Sequence, residues 1–553
     1  MKSDLSVDQL LSIIRMREQE GMSLRAIGAE VGMHHSAVGR FLQRKTHADF
    51  WEQHDKSPIA GGSMIDPVDK RVPWTGKKVI FATTAQNNTF VHEGMLGAVE
   101  AFCKHRDADL LVQTFSYGRR EFQRSEKGDG WFDKRITQFI RDEPIQLAPG
   151  LVWCGELNIS PTTANPLTGL QGYSKGNSAI FGSTRQNMET VPTRKDDDPH
   201  FMYTTGVITQ RNYIQRKLGQ KAEFHHIFGG LIIELCDDGR WFVRQVNVES
   251  DTGNFYDLDT YYQADGTVTT GHSIAGMVPG DIHTNHIHPE IARAVLGLDV
   301  TFQEKGVIDF SFDKTAQSIM SVLKPEYVMM HDILDFHVRN HHNINDPHFR
   351  FRQYCNEDES IETELSNVAK LLGAIEDAVP TLPVVVSSNH DRALIRYIVD
   401  NVRNWADDPV NALFFLRTQT AAYEHIALDQ YFDPVAWNIN RIRPGLDTIW
   451  LKEDEPFDIR GNECGYHGDR GPGGVRGSLA AFLKMGLRLC IGHSHVACIR
   501  DGVFQNGITC KKTLDYAKGP SGWSWSLTLI YPNGKRTIVT LHIDNNGFAR
   551  WCL

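Results

Sequence analysis

Four short apolar runs in the second half of the chain each break off into residues that bind divalent cations, and no other feature restricts the possible folds so sharply. "SIAGMVPGDIHTNH" ends in Asp281 and His283, and "PEYVMMHDILDFH" in Asp332 and Asp335. "LPVVVSSNHDR" ends in Asn389, His390 and Asp391, and "LRLCIGHSH" in His493 and His495. Buried β-runs that finish this way predict an α/β fold whose strands deliver those side chains to the C-terminal edge of a sheet, where α/β proteins bind ligands. Asp-x-His spacing puts both side chains on one face of an extended strand end, as does the spacing of His493 and His495. Carboxylates and imidazoles with one amide form a ligand set for a pair of divalent ions such as Mn²⁺, Fe²⁺ or Zn²⁺.

Composition bounds the remainder. At about 150 residues per domain, 553 residues predict two to four domains. With 41% hydrophobic and 23% charged residues the chain is globular rather than disordered or fibrous. No apolar run reaches the roughly 18 residues of a spanning helix. Arg15, Arg17, Glu18 and Glu20 interrupt any signal-like apolar stretch at the start, so no membrane association is expected. Nine scattered cysteines suit a reducing cytoplasm, with Cys490 and Cys498 read as core residues. A formal net charge of −10 argues against a non-specific nucleic-acid coat but permits a local basic surface. Of 24 histidines, nine fall between His272 and His348.

Residues 1–51 read as a small all-α head. Ser23 caps a helix with Leu24, Ile27 and Val31 inside, Gly32 makes the turn, and a further helix turns Val38, Phe41 and Leu42 inward. Small Ala26, Gly32 and the placement of Val38 resemble a helix-turn-helix. Its outward face would offer His35, Ser36, Arg40, Gln43 and Arg44 to DNA; the other reading is a module for protein–protein assembly. Residues 52–75 read as a linker rich in Gly, Pro and charge. Residues 76–270 read as a middle α/β domain without diagnostic chemistry, opening on a βαβ-like stretch; His225, His226 and Lys175 there read as structural. Residues 271–553 carry the four motifs.

The order D-x-H, D-x-x-D, N-H-D, H and G-H-x-H, over about residues 272–545, resembles the calcineurin-like metallophosphoesterase superfamily. The resemblance implies a two-sheet sandwich flanked by helices, with Asp281, His283 and His495 on a first metal, Asn389 and His493 on a second, and Asp332 bridging. It also implies one more histidine on the second metal, with His467 in "GYHGDRGPGG" as the first candidate and His425 as the other. His390 would be the catalytic histidine, oriented by Asp335 or Asp391. His331 and Ser388 stand where the family has glycine. The implied cofactor is two divalent ions, Mn²⁺ foremost, with Fe, Zn or Mg as alternatives.

N-H-D with an early D-x-x-D looks closest to the SbcD-like DNA nucleases, and a helix-turn-helix upstream of such a core suggests that DNA is the partner and substrate. Arg339, Arg350, Arg352, Arg392, Arg396, Lys511 and Lys512 interleave with the motifs, and Arg470 and Arg476 in the Gly-rich "HGDRGPGGVRGS" loop are candidate backbone contacts. His337, His341, His342 and His348 form a polar cluster that reads as lining a substrate groove, as binding an extra metal or as a solvated loop, and none of the four is assigned a ligand role. The whole layout also resembles a large early phage protein that degrades host DNA, which implies a host bacterial cytoplasm, an endo- or exonuclease activity, and a dimer or larger oligomer. The alternatives are a nucleotide or protein phosphatase of the same superfamily, or a DNA-binding regulator with a relict metal domain.

Overall fold

The computed structural model of the protein describes residues 12, 13, 16, 22–35, 38, 71–117, 130–194, 197–340, 343–400, 405–514 and 517–552. Two compact units emerge, Met1–Arg71 and Val72–Leu553. In the first, the helix Leu24–Glu30 is capped by Ser23, whose hydroxyl accepts the Ala26 N–H at 3.2 Å. Gly32 turns the chain at φ 67°, and Ile13, Ile27 and Val38 are fully buried together. His35 is half-buried. Ser36, Arg40, Gln43 and Arg44 lie outside the described residues, as do Phe41 and Leu42.

The second unit is mixed α/β with several sheets, as the apolar runs predict. Two of its strands, Val79–Gln86 and Ala108–Phe115, run parallel with the helix Glu93–His105 as their crossover. That helix buries Met95, Ala98, Val99 and Phe102 against a four-stranded sheet.

A six-stranded sheet carries the motifs, in the order Ile449–Trp450, Leu382–Val385, Tyr327–Met330, Gly276–Val278, Ser526–Ile530 and Arg536–Thr540. The first four strands are parallel and the last two antiparallel. Why these runs lack polar alternation follows from the period of two. Val328, Met330 and Val385 pack among the helices Pro289–Leu296, Ile319–Leu323 and Ile361–Ala378. Met329, Val384 and Val386 face the other way, onto Cys490, Ile499 and Phe504 of a second sheet. Both faces are therefore dry.

That second sheet has eleven strands and unites the two segments read from sequence as separate domains. Met188–Val191 pairs antiparallel with Cys498–Arg500, and strands from residues 72–204 share the sheet with strands from 458–505. Residues 76–270 and 271–553 thus build one compact body, because their hydrogen-bonding edges complete each other. The fourth motif also differs from expectation. Its strand, Leu489–Ile491, lies in this eleven-stranded sheet and not beside the other three. Cys490 and Cys498 are buried, in line with their sequence reading.

Candidate metal centre

The four strand ends meet where the two sheets converge. From Gly276–Val278 the chain passes Gly280, where a Cβ would come within 2.5 Å of the Gly507 carbonyl, and reaches Asp281. Asp281 bridges in parallel to His331 and to Ile508. From Leu489–Ile491 it passes Gly492, where a Cβ would fall 2.2 Å from Asp281 Oδ1. Only glycine lets the two segments close on one another.

The strands do not continue extended into the motifs, as the spacing argument expects. His283, Asp332, His493 and His495 all have left-handed backbones, with φ of 45°, 46°, 71° and 62°. None is a glycine, so each stores backbone strain of order 1–3 kcal/mol that the surrounding fold sustains. The turns, rather than strand alternation, aim these side chains inward.

Two groups of side chains share Asp332. In the first, the Nε2 atoms of His283 and His495 are 3.3 Å apart, and His495 Nε2 is 3.0 Å from Asp281 Oδ2. Asp332 Oδ2 lies 3.8 Å from His283 Nε2, so Asp281, His283, Asp332 and His495 offer four converging ligand atoms. In the second, Asn389 Oδ1 faces His467 Nε2 at 3.0 Å and His493 Nδ1 at 3.1 Å, while His467 Nε2 is 3.3 Å from Asp332 Oδ2. His467, not His425, is the histidine that arrives here; the His425 ring bonds the Ala421 carbonyl of its own helix. Asp281 Oδ1 and Asp332 Oδ2 are buried without a hydrogen bond. A buried His/Asp cluster of this kind can hold a metal ion.

Charge is unevenly tuned across the cluster. Burial opposes ionisation of Asp281, but the His495 imidazole beside it holds the carboxyl below its ordinary range. Burial likewise opposes the ionised form of Asp332, and His467 and His390 bring it well below that range. The imidazoles answer in kind. Burial works against the charged ring of His390, yet Asp332 and Asp335 hold its pKa up at about 10. For His467 the same opposition, won by Asp332, leaves it at about 9. Burial pushes His283 and His493 down.

His390 stands edge-on to His283, ring centroids 4.7 Å apart. Its Nδ1 meets Asp335 at the backbone carbonyl, 3.2 Å, and at Oδ1, 3.3 Å. Of the two carboxylates named to orient it, Asp335 does so. Asp391 instead accepts the Leu334 N–H at 2.9 Å and the Ser388 hydroxyl at 2.7 Å, pinning the loop. Burial, then the charge of Asp332, push Asp391 up to about 7. Ser388 therefore serves the loop as a hydroxyl donor.

Three further imidazoles, none assigned a ligand role from sequence, also lie here. His331 is fully buried, its Nδ1 3.2 Å from His467 Nδ1, and burial followed by His467 lowers it to about 4. His286 and His337 both face Asp335. Repetition of His three residues after His283 was the available signal for His286. The basic residues fare differently. Arg339 is buried in an ion pair with Asp408, Arg392 pairs with Asp469, and Arg470 with Glu453. These pairings engage three of the candidate guanidiniums within the protein. Arg476 is exposed on the Gly-rich loop and meets Arg470 through the backbone. Arg396 donates to the Asn389 carbonyl at 2.8 Å and so steadies a site residue. His226 is bonded to the Tyr213 hydroxyl at 2.7 Å, and His225 lies 3.4 Å from Asp501. His341 and His342 lie outside the described residues.

Among curated proteins, the chain is 35% identical over 496 residues to Protein A1 of Escherichia phage T5, covering 88% of this chain and 86% of that protein. No family model matches it, and no solved structure does. No helix among the described residues is long and apolar enough to cross a membrane.

Proposed function

The chain belongs to the family of Protein A1 of Escherichia phage T5, and from that premise we propose that it is a metal-dependent nuclease hydrolysing host DNA in the cytoplasm of the infected bacterium. The observation that carries the reading is the convergence of Asp281, His283, Asp332, Asn389, His467, His493 and His495 on one largely buried cluster in which Asp281 Oδ1 and Asp332 Oδ2 lack hydrogen bonds. Divalent cations supply what that donor set lacks. The order of the motifs, and two sheets packed face to face with helices outside, support a metallophosphoesterase arrangement.

In this reading Asp281, His283 and His495 hold one ion, Asn389, His467 and His493 another, and Asp332 both. Bound there, two divalent ions, Mn²⁺ before Fe, Zn or Mg, supply Lewis acidity that activates water and neutralises phosphoryl oxygens. The chain's own groups do the rest. His390, hydrogen-bonded to Asp335, is placed to give the proton that a departing alkoxide needs. Asp335 fixes that ring, and Asp391 with Ser388 fixes the loop that bears Asn389 and His390. Trp523 packs edge-on against His495, centroids 4.3 Å apart, and limits water on that side. The capped N-terminal helix and its small core fit a helical head, to which duplex binding through His35, Ser36, Arg40, Gln43 and Arg44 is assigned, with exposed Arg476 near the scissile strand and Arg470 there on release from Glu453.

The test is to incubate the full chain with Mn²⁺ and, in parallel, supercoiled plasmid, linear duplex, single strands, nucleotides and a phosphopeptide. DNA cleavage that disappears in Asp332→Ala supports the nuclease, and nicked circles against shortened ends distinguish endo- from exonuclease. Activity confined to monoesters overturns it in favour of a phosphatase. DNA binding without hydrolysis by the metal-replete chain leaves the regulator.

A further inference from the structure

We infer that a third divalent cation, of the zinc class, binds to His286, Asp335 and His337, outside the ligand set proposed above. The three candidate ligand atoms are His286 Nε2, His337 Nδ1 and Asp335 Oδ2. They are separated by 3.3 Å between the two nitrogens, 3.3 Å from His286 to the carboxylate, and 3.7 Å from His337 to it. The point equidistant from all three lies about 2.0 Å from each, which is the length of zinc–imidazole and zinc–carboxylate bonds.

Hydrogen bonding accounts for the triangle less well. A charge-assisted N–H···O bond closes to about 2.7–2.9 Å. The other oxygen of the same carboxylate does this with His283 Nδ1, at 2.8 Å. All three edges of the triangle are longer. The two imidazole nitrogens point at each other across it, which a shared cation explains directly.

The surroundings fit an ion. Three protein ligands leave a coordination position open, as zinc sites that keep a water do. A cavity of about 140 Å³ lined by His286, His337, Ser360, Thr363 and Glu364 gives that water room and the ion a way in. Glu364 is 3% exposed; its Oε1 accepts the Val338 N–H at 2.9 Å and its Oε2 accepts nothing. Glu364 stands beside Asp335, so a cation here would face a second carboxyl. The histidines are also braced. Their rings meet edge-on at 4.8 Å, and Phe349 backs His337 at 4.9 Å.

His286 ends the short turn after Asp281 and His283, and His337 begins the turn after Asp332 and Asp335. An ion here ties those two turns together. Asp335 gives one oxygen to His283 and His390 and the other to the ion, so occupancy fixes the carboxylate that orients His390.

The experiment counts zinc. The full chain is stripped with a chelator, reloaded with Zn²⁺, freed of excess by gel filtration and analysed for metal per chain. Three ions are expected in the wild type, two in His286→Asn and in His337→Asn, and one in Asp332→Ala. Equal zinc in the wild type and both histidine variants overturns the site. Anomalous scattering at the zinc edge from wild-type crystals is the second measurement, independent of whether a variant folds. A peak among the three atoms is expected, and none there overturns the site. A chain with that peak that cuts no DNA breaks the nuclease reading and leaves this site standing. Zinc confined to the Asp332 cluster does the reverse.

Discussion

In the group formed by Asp281, His283 and His495 every side chain is buried, whereas in the group of Asn389, His467 and His493 only His467 is. The enclosed group is also braced from outside. Asp335 holds the far nitrogen of His283, and the Trp523 ring covers His495. In the open group Asn389 and His493 reach solvent, and the amide oxygen of Asn389 is the shared partner of two imidazoles. A ligand whose orientation is fixed by neighbours pays little to bind an ion, and such support is worth roughly 10–100-fold in affinity. On the proposed reading, the enclosed side retains an ion and the open side meets solvent and a phosphate. Asp332, facing both, is the residue whose loss erases the distinction.

The largest expected effect follows. Asp332→Ala should remove metal from both groups and lower DNA hydrolysis by about 10³-fold or more, read by elemental analysis and plasmid cleavage. Metal retained at the wild-type level would break the shared-ligand picture. His390→Ala should keep its metal and lose about 10²–10⁴-fold in turnover, the range of a general acid. Undiminished turnover in the metal-replete variant sinks His390 as the proton donor.

Next in size is the asymmetry itself. His495→Ala should weaken the tighter ion and His493→Ala the looser one, each by more than about 100-fold. Titration with Mn²⁺ separates them. Two equal affinities in the wild type, or the same class lost in both variants, would remove the difference between the groups.

How much of this was legible in the chain can be judged residue by residue. Asp281, His283, Asp332, Asn389, His493 and His495 stand out because ligand residues terminate apolar strands, and strand ends converge in α/β sheets. His467 has no such strand before it and needed a resemblance to be singled out. The left-handed turns at His283, Asp332, His493 and His495 were not legible, because Asp and His, though enriched at positive φ, still adopt it in a minority of cases; tertiary packing imposes it. Nor was the partnership of His286 and His337 with Asp335, since facing loops create it. The joining of residues 76–270 to the second half was hidden for a related reason. It rests on Met188–Val191 pairing with Cys498–Arg500, and apolar pattern identifies strands without naming neighbours.

The smallest predicted effect concerns protons in place of metals. In the metal-free chain, the pKa of His390 is held at about 10 and that of His467 at about 9, both above the 6.5 of a free imidazole. Between pH 6.5 and roughly those values the folded chain binds more protons than the unfolded chain. Stability from these two groups is therefore fully present below pH 6.5 and is lost as pH rises through 9 to 10. It amounts to an order of a few kcal/mol. His226, near 3, and His331, near 4, are held down chiefly by burial, so they withdraw stability as pH falls below 6.5. Metal-free protein should melt highest near pH 6.5 and progressively lower toward pH 10. Bound Mn²⁺ should flatten the alkaline side, because it offsets the Asp332 charge that holds His390 up, and because His467 as a ligand carries no proton on the nitrogen it offers. Melting temperature against pH, with and without Mn²⁺, is the measurement. An alkaline slope identical in both states would separate His390 and His467 from the metal centre and leave only the enclosed group to hold an ion.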